Sequence, residues 1–195
     1  MPMLDLRPIL GAVVLLAAAS QTHGADYTVC KSTYALCTTA ECTPVPGRDD
    51  QVTCACEVRT GYSAGETACR PAKKTAEGTE IVSRYFPVKS LSICANDRPW
   101  ADCLDKSCTV DAKDPTKAMC ACTTESGKGP YVVVGDTFTP STCTTGVISS
   151  ATVELNREIT EFLKTTSVLK PFTITVLNPS RSQGSAEPTS GKMPE

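Results

Sequence analysis

Histidine is almost missing from this chain: among 195 residues His23 is the only one. It falls in a stretch expected to be removed on export, so the mature protein is expected to carry none. That excludes Ser-His-Asp and Cys-His nucleophile activation, imidazole metal ligands and a histidine general base. Aromatics are also sparse, with one Trp, four Phe and five Tyr, so little large apolar volume is available for a core. The longest apolar run, Ile9 to Ala19, is interrupted only by Gly11 and falls short of the roughly 20 residues that a spanning helix needs. Neither sign of charge dominates, with 19 Lys and Arg against 21 Asp and Glu. That balance, with no basic–aromatic face, argues against nucleic acid as a partner. Gly127-Lys128-Gly129 lacks the strand–helix setting of a phosphate loop. No catalytic motif stands out, and the chain is read as a non-enzyme without a cofactor.

Cysteine is what the chain has in quantity, twelve in all, and they fall into two hexads. The first is Cys30, Cys37, Cys42, Cys54, Cys56, Cys69; the second is Cys94, Cys103, Cys108, Cys120, Cys122, Cys143. In each, the middle four are separated by four, eleven and one residues. Alanine (Ala55, Ala121) fills both Cys-Ala-Cys steps, and threonine (Thr43, Thr109) follows both third cysteines. Tyr34-Ala35 before Cys37 is matched by Trp100-Ala101 before Cys103. Such agreement reads as a tandem duplication.

Residues 1–24 read as a secretory signal peptide: Arg7 in a short basic start, an apolar stretch, then a small or polar segment ending at Gly24. Export to a secreted or periplasmic location is therefore expected, with cleavage near Gly24. In an oxidising compartment the even count in each hexad implies six disulfides. Small units with so few aromatics need such cross-links, worth typically about 2–4 kcal/mol each. First-with-fourth, second-with-fifth and third-with-sixth pairing within each hexad is the favoured arrangement of fifteen.

The expected fold is α+β, mainly β: two six-cysteine units, each a short helical turn plus a β-hairpin, followed by a C-terminal helix and strand. The first unit spans 25–70 and the second 94–145. Residues 71–93 form a linker and strands, with the polar stretch Pro71–Glu80 as the linker itself. A helix and strand are assigned to 146–177 and a disordered tail to 178–195. Helical turns are expected over Ser32–Cys37 and after Pro99 up to Cys103. Gln51 to Arg59 alternates cleanly, so Val52, Cys54, Cys56 and Val58 share one strand face. The two sulfurs of Cys-Ala-Cys then lie roughly 7 Å apart along the strand and must reach different partners. Lys117–Thr124 and Tyr131–Val134 read as further strands. Asn156 is placed as the cap of a helix carrying Ile159, Phe162 and Leu163, and Phe172, Ile174 and Val176 as one side of a last strand.

Candidate sites are few. Cys37, Cys42, Cys54 and Cys56 have a spacing that can suit zinc, and Cys-x-Cys suits Cu(I), but export and pairing favour structural disulfides over a metal. Arg48, in a loop clamped by Cys42 and Cys54, and Lys113 with Lys117 in the matching loop, are where a double-headed protease inhibitor would present basic residues. Ordinary solvated turns are the plainer reading. Trp100 is read as core, the counterpart of Tyr34, and Asp49-Asp50 and Asp111 with Asp114 as turn formers. The function expected is an exported, disulfide-stapled, non-catalytic binding or structural protein, acting on an unknown protein or surface ligand, with no membrane span in the mature chain. A double-headed protease inhibitor and a thiol-redox or soft-metal protein are the alternatives.

Overall fold

Alternation around the first Cys-Ala-Cys step produces a strand far longer than the alternating stretch, β3 (Arg48–Gly65). In the structure, a computed structural model, residues 26–38 and 40–179 are described. The expected leader, and the expected tail beyond position 179, lie outside the described residues. Before β3 come β1 (Thr28–Leu36) and β2 (Glu41–Val45); after it come β4 (Lys73–Thr75), β5 (Gly78–Val82), β6 (Ser90–Cys94), β7 (Trp100–Asp102) and β8 (Ser107–Val110). Next are β9 (Lys117–Glu125), β10 (Tyr131–Val134), β11 (Val147–Ser150), the helix α1 (Val153–Lys164) and β12 (Thr175–Val176). The protein is mostly β.

Both stretches expected to be helical turns are strands. Tyr34 and Ala35 lie in β1, facing Arg59 and Val58 of β3, and Trp100 to Asp102 form β7 against Glu125 to Thr123 of β9. A single turn of helix has little stability of its own, whereas the ends of β3 and β9 offer long ladders to complete. The polar stretch read as a linker is also structured: Lys73–Thr75 and Gly78–Glu80 pair as a hairpin.

Nine strands share one sheet, and its pairings close on themselves. β3 pairs with β2, β2 with β11, β11 with β7, β7 with β9, and β9 returns to β3. A second circuit runs from β9 through β8 and β5, whose continuation at Ser83 bridges Ala35 of β1, and back to β3. The two hexads are therefore joined by the β3–β9 ladder, in which Cys54 faces Cys120. Registers on either side of that ladder repeat at one displacement, 66 residues (103 less 37). Cys42 faces Cys54 as Cys108 faces Cys120; Tyr34 faces Arg59 as Trp100 faces Glu125. Val147 faces Cys42 as Ile81 faces Cys108, and Ala35 meets Ser83 as Ala101 meets Ser149. Each trailing strand thus starts beside the other hexad and ends beside its own.

The inner face of the closed sheet carries Val52, Ile81, Ala35, Ala101, Ala118 and eight of the cysteines. A second, three-stranded sheet (β10–β6–β12) is packed from Leu91, Ile93 and Val132, with Ile174 and Val176 against them. Helix α1 begins one turn earlier than expected. Thr152, not Asn156, is its cap, with Thr152 Oγ1 accepting from Leu155 N at 3.1 Å. Asn156 is buried in the second turn, and Ile159 and Leu163 pack on Ala64, Tyr27 and Tyr85. The last strand is only two residues long, and Phe172 joins the helix cluster rather than sharing a face with Ile174 and Val176. Asn178, assigned to the tail, is ordered: Ile93 N donates to its Oδ1 and its Nδ2 donates to Ile93 O, each at 2.8 Å.

Candidate functional site

The twelve cysteines form six disulfides, nested identically in the two hexads. Cys30 joins Cys69, Cys37 joins Cys56 and Cys42 joins Cys54; Cys94 joins Cys143, Cys103 joins Cys122 and Cys108 joins Cys120. Every bridge stays within its hexad. Only second-with-fifth matches the favoured pairing; the others are first-with-sixth and third-with-fourth. An antiparallel hairpin is the reason. With the chain reversing at Pro46-Gly47, Cys42 lies directly opposite Cys54, and residues progressively earlier meet residues progressively later. The Pro-Gly turn midway through the eleven-residue gap carried that signal.

The four inner bridges crowd together. Cys37 Sγ lies 3.6 Å from Cys120 Sγ, and the sulfurs of Cys37, Cys56 and Cys120 all fall within 4.8 Å of one another, as do those of Cys42, Cys54 and Cys103. These sets draw on both hexads, unlike the Cys37, Cys42, Cys54 and Cys56 grouping expected from spacing. All six sulfurs are already disulfide-bonded, so a soft metal there would first require a reductant.

The basic loop residues sit far apart. Arg48 follows a two-residue turn at one end of the β3–β9 ladder, while the Asp111–Thr116 loop lies at the other, where Thr116 O accepts from Val58 N. Ten residues of strand separate the ends, about 33 Å at the usual rise. Arg48 is itself a ladder residue, paired with Val45, and its Nη1 donates to Gln51 Oε1 at 2.8 Å. Lys113 is exposed, and its backbone N–H donates to Asp111 Oδ1 at 2.7 Å. Asp114 Oδ1 accepts from Thr116 N and Oγ1, and these hydrogen bonds hold its carboxyl below the usual range. Asp111 and Asp114 therefore form turns, and Asp49 and Asp50 are exposed strand residues. Trp100 is buried at 4% exposure, with its ring stacked on Tyr131 at 6.3 Å beside Cys94 and Cys143.

A polar knot escaped the sequence reading. Arg84 and Asp105 are both buried, and Nη1 of the arginine meets Asp105 Oδ1 at 2.7 Å. Arg84 Nη1 also donates to Thr67 O at 2.9 Å, and its Nη2 donates to Thr28 O at 2.7 Å and to Cys30 Sγ at 3.1 Å. Asp105 Oδ2 accepts from the backbone of Glu66 and Thr67. Asp105 has a left-handed φ of 56°, which aspartate tolerates better than most residues. Gly65 packs so closely that a Cβ there would lie 2.4 Å from Asp105 Oδ1. The one available signal was a charged residue inside the apolar run Ile81–Phe86.

Beside Arg84 lies a largely apolar pocket of about 70 Å³ between α1, β10 and the sheet, lined by Tyr85, Leu104, Val132, Asn156 and Ile159. That is space for a couple of waters, far below the roughly 300–1,000 Å³ of small-molecule sites. Burial pushes up the hydroxyls of Tyr34, Tyr85 and Tyr131. Tyr27 reaches about 12 through burial and the nearby Glu158 carboxylate, to which its hydroxyl donates. Neutral phenols of this kind are held away from proton transfer. Comparison with protein-family models, with curated proteins and with solved structures finds no match to this chain. A mostly β, disulfide-rich small protein fits a non-catalytic structural or binding role. Six disulfides suggest an extracellular or otherwise oxidising compartment. Among the described residues no helix is long and apolar enough to cross a membrane.

Proposed function

We propose that this chain is an exported, non-catalytic binding or structural module, assembled from a duplicated six-cysteine unit and acting through its surface on a protein or surface ligand. The observation that carries the reading is the interior of the closed sheet. It is filled by four contiguous cystines and small apolar side chains rather than by a cleft or a nucleophile with a base. Such an interior makes a rigid body, and a rigid body loses little freedom when it docks. The repeated register at 66 residues supports duplication, with β5 and β11 each reaching across to the other unit. The test is chemical cross-linking of the oxidised protein to extracellular components of its host, with the reduced and alkylated chain in parallel. A component captured only by the oxidised form is expected. Equal capture by both forms, or catalytic turnover by the protein alone, refutes the reading.

The inhibitor alternative rests on two basic tips at opposite ends of one ladder. Protease clefts take up extended segments, however, and Arg48 is tied into a hairpin. A trypsin assay decides: no inhibition by the wild-type protein removes this alternative, and strong inhibition lost in Arg48→Ala replaces the main proposal.

A further inference from the structure

The six bridges differ in chemistry. Cys69 is the exposed half-cystine, whereas its partner Cys30 is 97% buried, with 3% exposure. The corresponding bridge of the second hexad, Cys94–Cys143, is buried at both ends, at 0% and 6% exposure. The four inner bridges have buried or half-buried sulfurs inside the closed sheet. Thiol–disulfide exchange needs a sulfur that an incoming thiolate can reach and a leaving sulfur whose thiolate is stabilised. Cys69 meets the first condition. Cys30 meets the second, because Arg84 Nη2 already points an N–H at its sulfur from 3.1 Å.

We infer that Cys69 is a site of mixed-disulfide formation with low-molecular-weight thiols of the glutathione class, with Cys30 as the leaving thiolate held by Arg84. The incoming thiol gives its proton to solvent and its thiolate attacks Cys69 Sγ. A bond forms between the incoming sulfur and Cys69 as the Cys30–Cys69 bond breaks, and the electron pair stays on Cys30 Sγ. One disulfide and one thiolate become another disulfide and another thiolate, so no separate oxidant or reductant enters.

Two effects oppose the leaving group. Apolar burial disfavours any thiolate at Cys30, and Asp105 offsets part of the arginine charge through Nη1. Nη2, the nitrogen facing the sulfur, shares its hydrogens only with Thr28 O and Cys30, both uncharged, so the donor is aimed where the new charge appears. The second hexad has no equivalent. The position 66 residues beyond Arg84 is Ser150, whose hydroxyl donates to Val132 O. After exchange, the connection between β3 and β4 is still held by the Glu66 and Thr67 N–H groups on Asp105 and by Arg84 on Thr67 O, so the reaction leaves the fold in place and can reverse.

The experiment treats the intact, oxidised protein with reduced glutathione, quenches with acid, alkylates free thiols and maps both modifications over time. Glutathione is expected first on Cys69, with Cys30 alkylated in the same molecules, about tenfold or more ahead of any adduct on Cys94 or Cys143. First adducts on any other cysteine, or on Cys30 with Cys69 alkylated, overturn the assignment. In Arg84→Gln the rate at Cys69, relative to that at Cys143 in the same sample, is expected to fall about tenfold. This internal ratio separates loss of the donor from general loosening, which speeds both sites. An unchanged ratio overturns the role of Arg84. Should Arg84→Gln fail to fold, the order of modification in the wild-type protein decides alone.

Discussion

Replacing Asp105 by alanine isolates the buried ion pair from the disulfides around it. The substitution removes the acceptor for Arg84 Nη1 at 2.7 Å and for the Glu66 and Thr67 N–H groups. It leaves a guanidinium whose side chain is 3% exposed with carbonyls and a sulfur as its remaining acceptors. Removing one member of a buried pair typically costs about 3–5 kcal/mol, because the remaining charge stays desolvated. Alanine at a φ of 56° adds about 1 kcal/mol of backbone strain. The sum, about 4–6 kcal/mol, is a large share of the roughly 5–15 kcal/mol that stabilises a typical domain. Asp105→Gly loses the same carboxylate but not the backbone conformation, so it should be about 1 kcal/mol less damaging than Asp105→Ala. Urea unfolding of the oxidised proteins, followed by Trp100 fluorescence and by far-ultraviolet circular dichroism, measures both differences. An Asp105→Ala protein within about 1 kcal/mol of wild type would show that water reaches the pair and that the desolvation argument fails. Glycine no better than alanine would refute the backbone part alone.

Gly65→Ala should lower the melting temperature through the same knot. Its Cβ would meet Arg84 Nη1 at 2.6 Å as well as Asp105 Oδ1, and overpacking of this kind costs about 1–3 kcal/mol; a melting curve unchanged from wild type would mean the knot can shift freely. Removing both cysteines of a bridge should cost more when the loop is longer. Cys94 and Cys143 replaced together should destabilise by roughly 1 kcal/mol more than Cys42 and Cys54 replaced together, since their separations are 49 and 12 residues; equal urea midpoints would argue against the chain-entropy account. Tyr27 contributes stability while its phenol is neutral. Its hydroxyl is raised from 10.0 to about 12 in the folded protein, so the contribution is complete below pH 10 and lost as pH rises towards 12. Spectrophotometric titration should show that Tyr27→Phe removes a tyrosine ionising near pH 12, and loss of a lower-titrating one instead would contradict the contact with Glu158.

Period and punctuation determine much of this protein. Alternation over Gln51–Arg59 and around Cys120 and Cys122 is local information, and it correctly places Cys54, Cys56, Cys120 and Cys122 on inward faces. The Pro-Gly turn, the Tyr131–Val134 strand and the helix carrying Ile159 and Leu163 are legible for the same reason. Tertiary structure decided what those elements meet. Ser32–Leu36 and Trp100–Asp102 are strands because β3 and β9 extend far enough to pair with them, a fact that no window around either segment contains. The nested disulfides follow from hairpin register, and the joining of the hexads follows from a ladder between residues 66 apart in sequence. Arg84 and Asp105 are separated by 21 residues and carry no motif; only the crossing of β1, the end of β3 and the segment after β5 brings a guanidinium, a carboxylate and the Cys30 sulfur within bonding distance. Sequence period selects which side chains turn inward, but long-range strand pairing selects which of them touch, and the chemistry at Cys30 and Cys69 depends on the second.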